Sequence, residues 1–315
     1  MEILDSFALT RFAKRGISKT MEQISVLLDT DIGSDIDDAV ALAYLLRQPR
    51  CQLLGVTTVS GDVSKRAACV EIICREAGKT NLPIHCGAAN PILWGPGQPN
   101  VPQYEAIKNR LHKHDWKQNN AVRFLRDTIH RLPGEITLLS IGPLTNIALL
   151  FAIDPEIPSL LKGFVSMSGA FYATPPYAEW NCKTDSLATR IVYEAKVQNH
   201  LNIGLDATLK CKLSKEKVRE SFKAPPLNIA LEMAEVWFNG SSDEITFHDP
   251  LAAALIFNPS LCEIERGTVV SEVSESHDIG GITHFTPSEA GPHLVAKTVD
   301  VDGFFNEFFS VFPRG

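Results

Sequence analysis

Five aspartates, Asp29, Asp31, Asp35, Asp37 and Asp38, fall within the ten-residue run Asp29-Thr30-Asp31-Ile32-Gly33-Ser34-Asp35-Ile36-Asp37-Asp38. Carboxylates crowded in this way repel one another and hold their protons to higher pH unless a cation or hydrogen-bond donors compensate. No His or Cys accompanies them, so the donors are hard oxygens, the set that suits Ca2+ or Mg2+ rather than Zn2+, and the carboxylate count favours Ca2+. Capping of a following helix would account for some of Asp35, Asp37 and Asp38. It gives no reason for Asp29 and Asp31. A calcium-sensor loop is excluded, because counting from Asp29 puts Gly33 where a ligand is needed and Val40 where the closing Glu should stand. A strand ending in Asp-x-Asp also suits an aspartyl-phosphate phosphatase, with Asp29 as nucleophile and Asp31 as general acid; that chemistry needs phosphate-gripping Lys and Ser or Thr residues downstream.

The elements that must position this loop are legible in the apolar spacing. A short apolar run at 24–28 leads into the loop, and apolar residues at helical spacing follow at 39–46, which gives strand, loop and helix in succession. The alternation continues through strands at 53–59, 83–86, 136–139, 164–167 and 201–204. Helices are expected at 64–77, 121–130, 144–151, 185–195, 214–222, 228–238 and 249–257. This pattern predicts an α/β fold, an open and mostly parallel sheet flanked by helices. Alternating segments at 268–273 and 293–299, before a last helix from 302, predict a small antiparallel addition near the C-terminus. Residues 1–22 read as an N-terminal extension and 23–315 as a single domain. Ligands in such sheets bind beyond the carboxyl ends of the strands, so the spans 90–102, 169–184 and 241–248 are the expected active-site loops.

Composition narrows the partners. Over 315 residues the chain is 44% hydrophobic and 21% charged, an ordinary globular balance. Its net charge is −7 and its 30 basic residues are scattered, so there is no electrostatic footprint for nucleic acid. No apolar stretch reaches the length of a membrane span, roughly 20 residues. The seven cysteines are odd in number and form no Cys-x-x-Cys pair, which predicts buried free thiols and, without an apolar secretory core, a cytoplasmic protein.

The acidic loop, with Asp29, Asp31, Gly33 and then Asp37-Asp38-Ala39-Val40-Ala41-Leu42, resembles the signature of the inosine-uridine type nucleoside hydrolases. Further blocks follow in that family's order: Thr57-Thr58-Val59-Ser60-Gly61-Asp62, Ile141-Gly142-Pro143-Leu144-Thr145-Asn146, Met167-Ser168-Gly169-Ala170, Glu179-Trp180-Asn181 and His248-Asp249-Pro250-Leu251-Ala252. The likeness implies a nucleoside hydrolase fold and calcium-dependent hydrolysis of a nucleoside to free base and ribose. On that resemblance Ca2+ is held by Asp31, Asp38, Asp249 and the main-chain carbonyl of Ile141, and Asp31 is the general base. Asp37, or Asp35 in view of the two residues inserted after Gly33, would contact a ribose hydroxyl. Glu179 and Asn181 would hold the other ribose hydroxyls, Met167 would pack near the sugar, and His248 would protonate or polarise the leaving base. Asp62 stands where the family often has Asn near the ribose, and Ala173 where another Asn is usual. Base selection would come from the loops at 90–102 and 222–242, with Trp94, Trp237 and Phe238 as stacking candidates. The resemblance also implies a homodimer or homotetramer. A non-catalytic nucleoside-binding relative is the alternative within the same fold.

Overall fold

The computed structural model describes residues 22–195, 197–240, 242–276 and 278–313; the N-terminal extension expected at 1–22 lies, Glu22 apart, outside the described residues. Six strands, β1 (Ile24–Thr30), β2 (Cys51–Thr58), β3 (Ile84–Cys86), β4 (Ile136–Ser140), β5 (Gly163–Met167) and β6 (His200–Ile203), pair in parallel in the order β3-β2-β1-β4-β5-β6. Helices cover both faces, which is why β4 and the second half of β1 are buried at every residue, polar ones included. On one side the helices Asp37–Arg47, Val63–Glu76, Leu227–Gly240, His248–Leu255 and Val301–Ser310 build the larger core. On the other, Ala121–Arg131, Thr145–Ile153 and Ser186–Glu194 build a smaller one around Leu27, Leu138 and Phe164.

A short antiparallel pair, β7 (Lys212–Ser214) with β8 (Glu244–Thr246), stands apart from this sheet. The C-terminal addition is antiparallel as its alternation predicts: β9 (Cys262–Ser271) pairs antiparallel with both β10 (Thr283–Pro287) and β11 (His293–Val299). It is continuous with the main sheet because β11 lies parallel to β6, giving nine strands in all. The sequence reading missed β7, β8 and β10. Each is three to five residues long and half exposed, and Pro287 closes the edge strand β10, so none carries an apolar run.

The chain passes from β1 outward to β2 and β3, then returns to lay β4 on the opposite side of β1. A crevice opens where the order reverses, beyond the carboxyl ends of β1 and β4. The acidic loop and Ile141 sit there. Among the described residues no helix is long and apolar enough to cross a membrane. All seven cysteines are free, and all but Cys51 are buried.

Candidate active site

The site starts from the last residues of β1. The Asp29 carbonyl accepts from Ile141 N at 2.9 Å, which ties the end of β1 to the turn after β4. The Asp29 side chain is wholly buried; Oδ1 accepts from the Thr57 hydroxyl and from Asn146 Nδ2 at 2.7 Å, while Oδ2 has no partner among the described residues. Burial pushes its pKa up to about 7. Asn146 also donates to the Thr58 carbonyl and accepts from Ala88 N, so one amide joins three strand ends. Gly142 lets the turn after β4 close on the loop: a Cβ there would stand 2.8 Å from Asp31 N and 2.9 Å from Asp31 Oδ1. Gly33, at φ +111°, makes the sharp turn that sends the chain into helix Asp37–Arg47.

That helix has Ile36 at its N-cap with no side-chain capping bond, so Asp37 and Asp38 are its first turn and not its cap, contrary to the capping expectation. The Thr30 hydroxyl donates to Asp38 and accepts from Ile32 N. Asp35 accepts from Ile36 N at 2.6 Å. The N-terminus of helix His248–Leu255 meets the same point, and Asp249 N donates to Asp37 Oδ2 at 3.1 Å. Carboxylate oxygens of Asp37, Asp38 and Asp249 all lie within 4.8 Å of one another, and all three side chains are buried. Burial, together with their mutual repulsion, drives each of the three well above the ordinary carboxylate range. Asp31 is raised by burial and drawn back by the Arg66 guanidinium; Asp35 is raised to about 6. Two helix N-termini offset part of this negative charge.

The pocket above the cluster has a volume of about 160 Å3. Its walls come from Asp31, Asp35, Asp37 and Asp38 of the first loop, Ile141 after β4, Met167 at the end of β5, Glu179 and Asn181, and His248 with Asp249. Each of the three expected loops therefore contributes, since Gln98 lines it as well. Glu179 has both carboxylate oxygens fixed by backbone N–H groups of Gly169, Asn181 and Cys182, and so caps helix Trp180–Thr184. Asn181 Nδ2 donates to the Ile141 carbonyl at 3.0 Å and to the Met167 carbonyl at 3.1 Å. His248 Nδ1 lies 2.7 Å from the Thr208 hydroxyl; burial, with Lys212 nearby, lowers its pKa to about 4. Among the described residues no Lys or Arg lines the pocket. Unpaired buried carboxylates are costly, and a donor set of carboxylate and carbonyl oxygens matches a hard divalent cation, so the residues present fit a metal.

The model of the inosine-uridine preferring nucleoside hydrolases matches residues 26–306. The chain belongs to this family. Nucleoside hydrolases cleave the N-glycosidic bond of nucleosides and are metal-dependent, and the acidic cluster is a candidate site for the metal. Among its relatives, "Non-specific ribonucleoside hydrolase RihC" of Salmonella newport is 31% identical over 304 residues, covering 89% of this chain and 95% of that one. "Uridine nucleosidase 1" of Arabidopsis thaliana is 29% identical over 306 residues, covering 88% and 90%. A solved plant nucleoside hydrolase, PpNRh1, shares the fold at TM-score 0.77 and 22% identity, covering 91% of this chain and 98% of its own. The purine-preferring ribonucleoside hydrolase of Gardnerella vaginalis does so at TM-score 0.75 and 22% identity, covering 91% and 97%.

Several expected members of this nucleoside hydrolase's site lie elsewhere. Asp62 is outside the pocket; it caps helix Val63–Glu76 through Lys65 N at 3.1 Å and pairs with Lys65 Nζ at 3.2 Å. Trp94, Trp237 and Phe238 do not line the pocket either. Trp237 packs on the larger core with Nε1 on the Glu244 carbonyl, and Phe238 is buried beneath Lys215 and Arg219, because helix Leu227–Gly240 turns that face inward. The aromatic residue at the pocket is Trp180, held between Glu179 and Asn181 and 44% exposed. Thr208 and Arg66 also escaped the sequence reading. Arg66 had a signal: it sits on the apolar stripe of its helix, with Val63, Ala67, Val70 and Ile73, at a spacing where a charge is out of place.

Proposed function

We propose that this nucleoside hydrolase releases free base and ribose from ribonucleosides with Ca2+ held by Asp31, Asp38, Asp249 and the Ile141 carbonyl. In this reading Asp31 is the general base and His248 assists departure of the base. The observation that carries it is the meeting of the buried Asp37, Asp38 and Asp249 carboxylates in one pocket with Asp31, Ile141 and His248, and, among the described residues, without a cationic side chain. A divalent cation bound there lowers the pKa of a water and aligns vicinal hydroxyls of a pentose.

In this reading Asp31 takes the proton from the attacking water. Its backbone is locked against Gly142, and burial gives its carboxyl a higher proton affinity than an exposed one. As the glycosidic bond lengthens, positive charge grows at C1′, and the surrounding carboxylates stabilise it. His248 is neutral at pH 7, being pushed to about 4. In this reading the Thr208 hydroxyl donates to Nδ1, which leaves Nε2 with the ring proton to donate to the leaving base, so the ring polarises the base and does not hand over a stored proton. Asp37, with Asp35 beside it, takes a ribose hydroxyl. Glu179 and Asn181, each fixed by backbone partners, form the wall for the other hydroxyls, and Met167 closes the sugar face.

Asp29, the nucleophile of the phosphatase reading, is wholly buried and outside the pocket, and among the described residues nothing cationic lines that pocket to grip a phosphate. That reading is not retained. Buried free thiols fit a reducing compartment such as the cytoplasm. Dimeric or tetrameric assembly is part of the proposal and is read by light scattering. The test of function is ribose release from a panel of purine and pyrimidine nucleosides by the native chain and by Asp31→Ala, with and without chelation. We expect release that falls on chelation and drops by about 10²–10⁴-fold in Asp31→Ala, the usual reach of general-base catalysis. No release from any nucleoside by the calcium-loaded native chain overturns it.

A further inference from the structure

The Arg66 guanidinium is buried, yet among the described residues it forms no ion pair. Its partners are instead main-chain carbonyls and one hydroxyl. Nε donates to Ser60 O at 2.7 Å, and Nη2 to Gln98 O at 2.6 Å. Nη1 donates to Asp31 O, to Ile32 O at 3.0 Å and to Ser34 Oγ at 2.9 Å. Three segments far apart in sequence thus converge on one side chain: the acidic loop, the turn after β2 and the span at 90–102. Further bonds lie along the same seam. Ser60 Oγ accepts from Gln98 N at 2.8 Å, Ser34 Oγ donates to Asn100 O at 3.0 Å, and Gln103 donates to Gly33 O and Ser34 O, each at 3.1 Å.

A planar fork of five N–H donors suits this task, and a Lys ammonium, with three donors on one atom, cannot span the same acceptors. The arrangement also separates two effects of opposite sign. As a positive charge near the acidic cluster, Arg66 opposes cation binding. As a clamp, it holds Asp31 and the turn at Ile32–Ser34 in the shape that brings carboxylates together before any cation arrives. A core Arg placed only for packing would not select the backbone of the acidic loop and of the pocket-lining Gln98 together.

We infer that Arg66 is a positioning residue: it preorganises the acidic loop for the cation and fixes the Gln98 segment at the pocket, and the clamp outweighs the charge. This inference rests on the proposal that the acidic cluster holds Ca2+. The test is calorimetric Ca2+ titration of metal-free native chain, Arg66→Lys and Arg66→Met, with circular dichroism to establish folding and ribose release measured at saturating Ca2+. Loss of a residue that orients metal ligands typically costs 10–100-fold in affinity or activity. We expect both variants to bind Ca2+ at least about tenfold more weakly, with kcat reduced at saturation and Lys giving no rescue. Native-like binding in Arg66→Lys, or tighter binding in Arg66→Met, would make Arg66 a mere counter-charge and overturn the inference. If the native chain itself binds no Ca2+, the metal proposal fails first, and the inference with it. If neither Arg66 variant folds, Ser34→Ala decides: removal of this one acceptor should weaken Ca2+ binding by roughly two- to tenfold, and unchanged affinity overturns the clamp.

Discussion

Replacing Asp249 with Asn should stabilise the metal-free protein while removing its response to Ca2+. Asp249 is buried with carboxylate oxygens of Asp37 and Asp38 inside 4.8 Å, and burial and four neighbouring aspartates raise its pKa with no hydrogen bond acting to lower it. Two unit charges at that distance repel by about 3.5 kcal/mol at an effective dielectric of 20. Proton uptake by the cluster relieves part of this, and the dipole of helix His248–Leu255 returns about 0.3–1 kcal/mol to the native carboxylate. The remaining gain from Asp249→Asn is about 1–2 kcal/mol, or roughly 1.5–3 °C in Tm for a chain of this size. Thermal unfolding by circular dichroism at pH 8 in chelator reads this directly. A group whose folded pKa is raised gives stability that is complete below its unfolded pKa and is lost as pH rises through the folded value. The native chain should therefore recover as pH falls through the raised range of the Asp249 carboxyl, and the gap between variant and native should narrow. Saturating Ca2+ should reverse the order, because it stabilises only the native chain. A lower Tm for Asp249→Asn in chelator at pH 8 would refute the reasoning, since the carboxylate would then be worth more as a structural acceptor than its repulsion costs.

Three further outcomes follow from the same geometry. His248→Ala should slow release of ordinary bases by about 10²-fold or more but barely affect a substrate with an activated leaving group such as p-nitrophenol, and Thr208→Val should do the same more weakly; equal losses on both substrates would show a structural role. Gly142→Ala should leave the fold intact yet reduce kcat by about 100-fold, because the new Cβ meets Asp31 N and Oδ1 below 3 Å; native-like kinetics would show that Asp31 can shift without consequence. Asn146→Leu strips Asp29, Thr58 and Ala88 of a shared partner and should lower stability by about 2–4 kcal/mol in urea unfolding, whereas a change under 1 kcal/mol would mean that the strand ends are held by other bonds.

The alternation of apolar runs and helical spacing was enough to specify the parallel sheet, because strands covered on both faces are apolar along most of their length and that signal is local. The acidic loop was equally plain: carboxylates at that density have few chemical reasons to exist. Local signals could not say which carboxylates meet. Asp249 lies more than two hundred residues from Asp37, and only the packing of helix His248–Leu255 against helix Asp37–Arg47 brings their N-termini together. The aromatic residues illustrate the same limit in reverse. Trp237 and Phe238 were plausible stacking groups by type, but the orientation of their helix, set by the rest of the core, turned them away from the pocket and left Trp180 there. Asp62 had the right neighbourhood in sequence, yet the cap it gives Lys65 N holds it at the helix terminus. Arg66 shows most clearly what tertiary structure alone decides: its role comes from five acceptors on three segments, and no property of residues near it in sequence encodes where the other two segments come to lie.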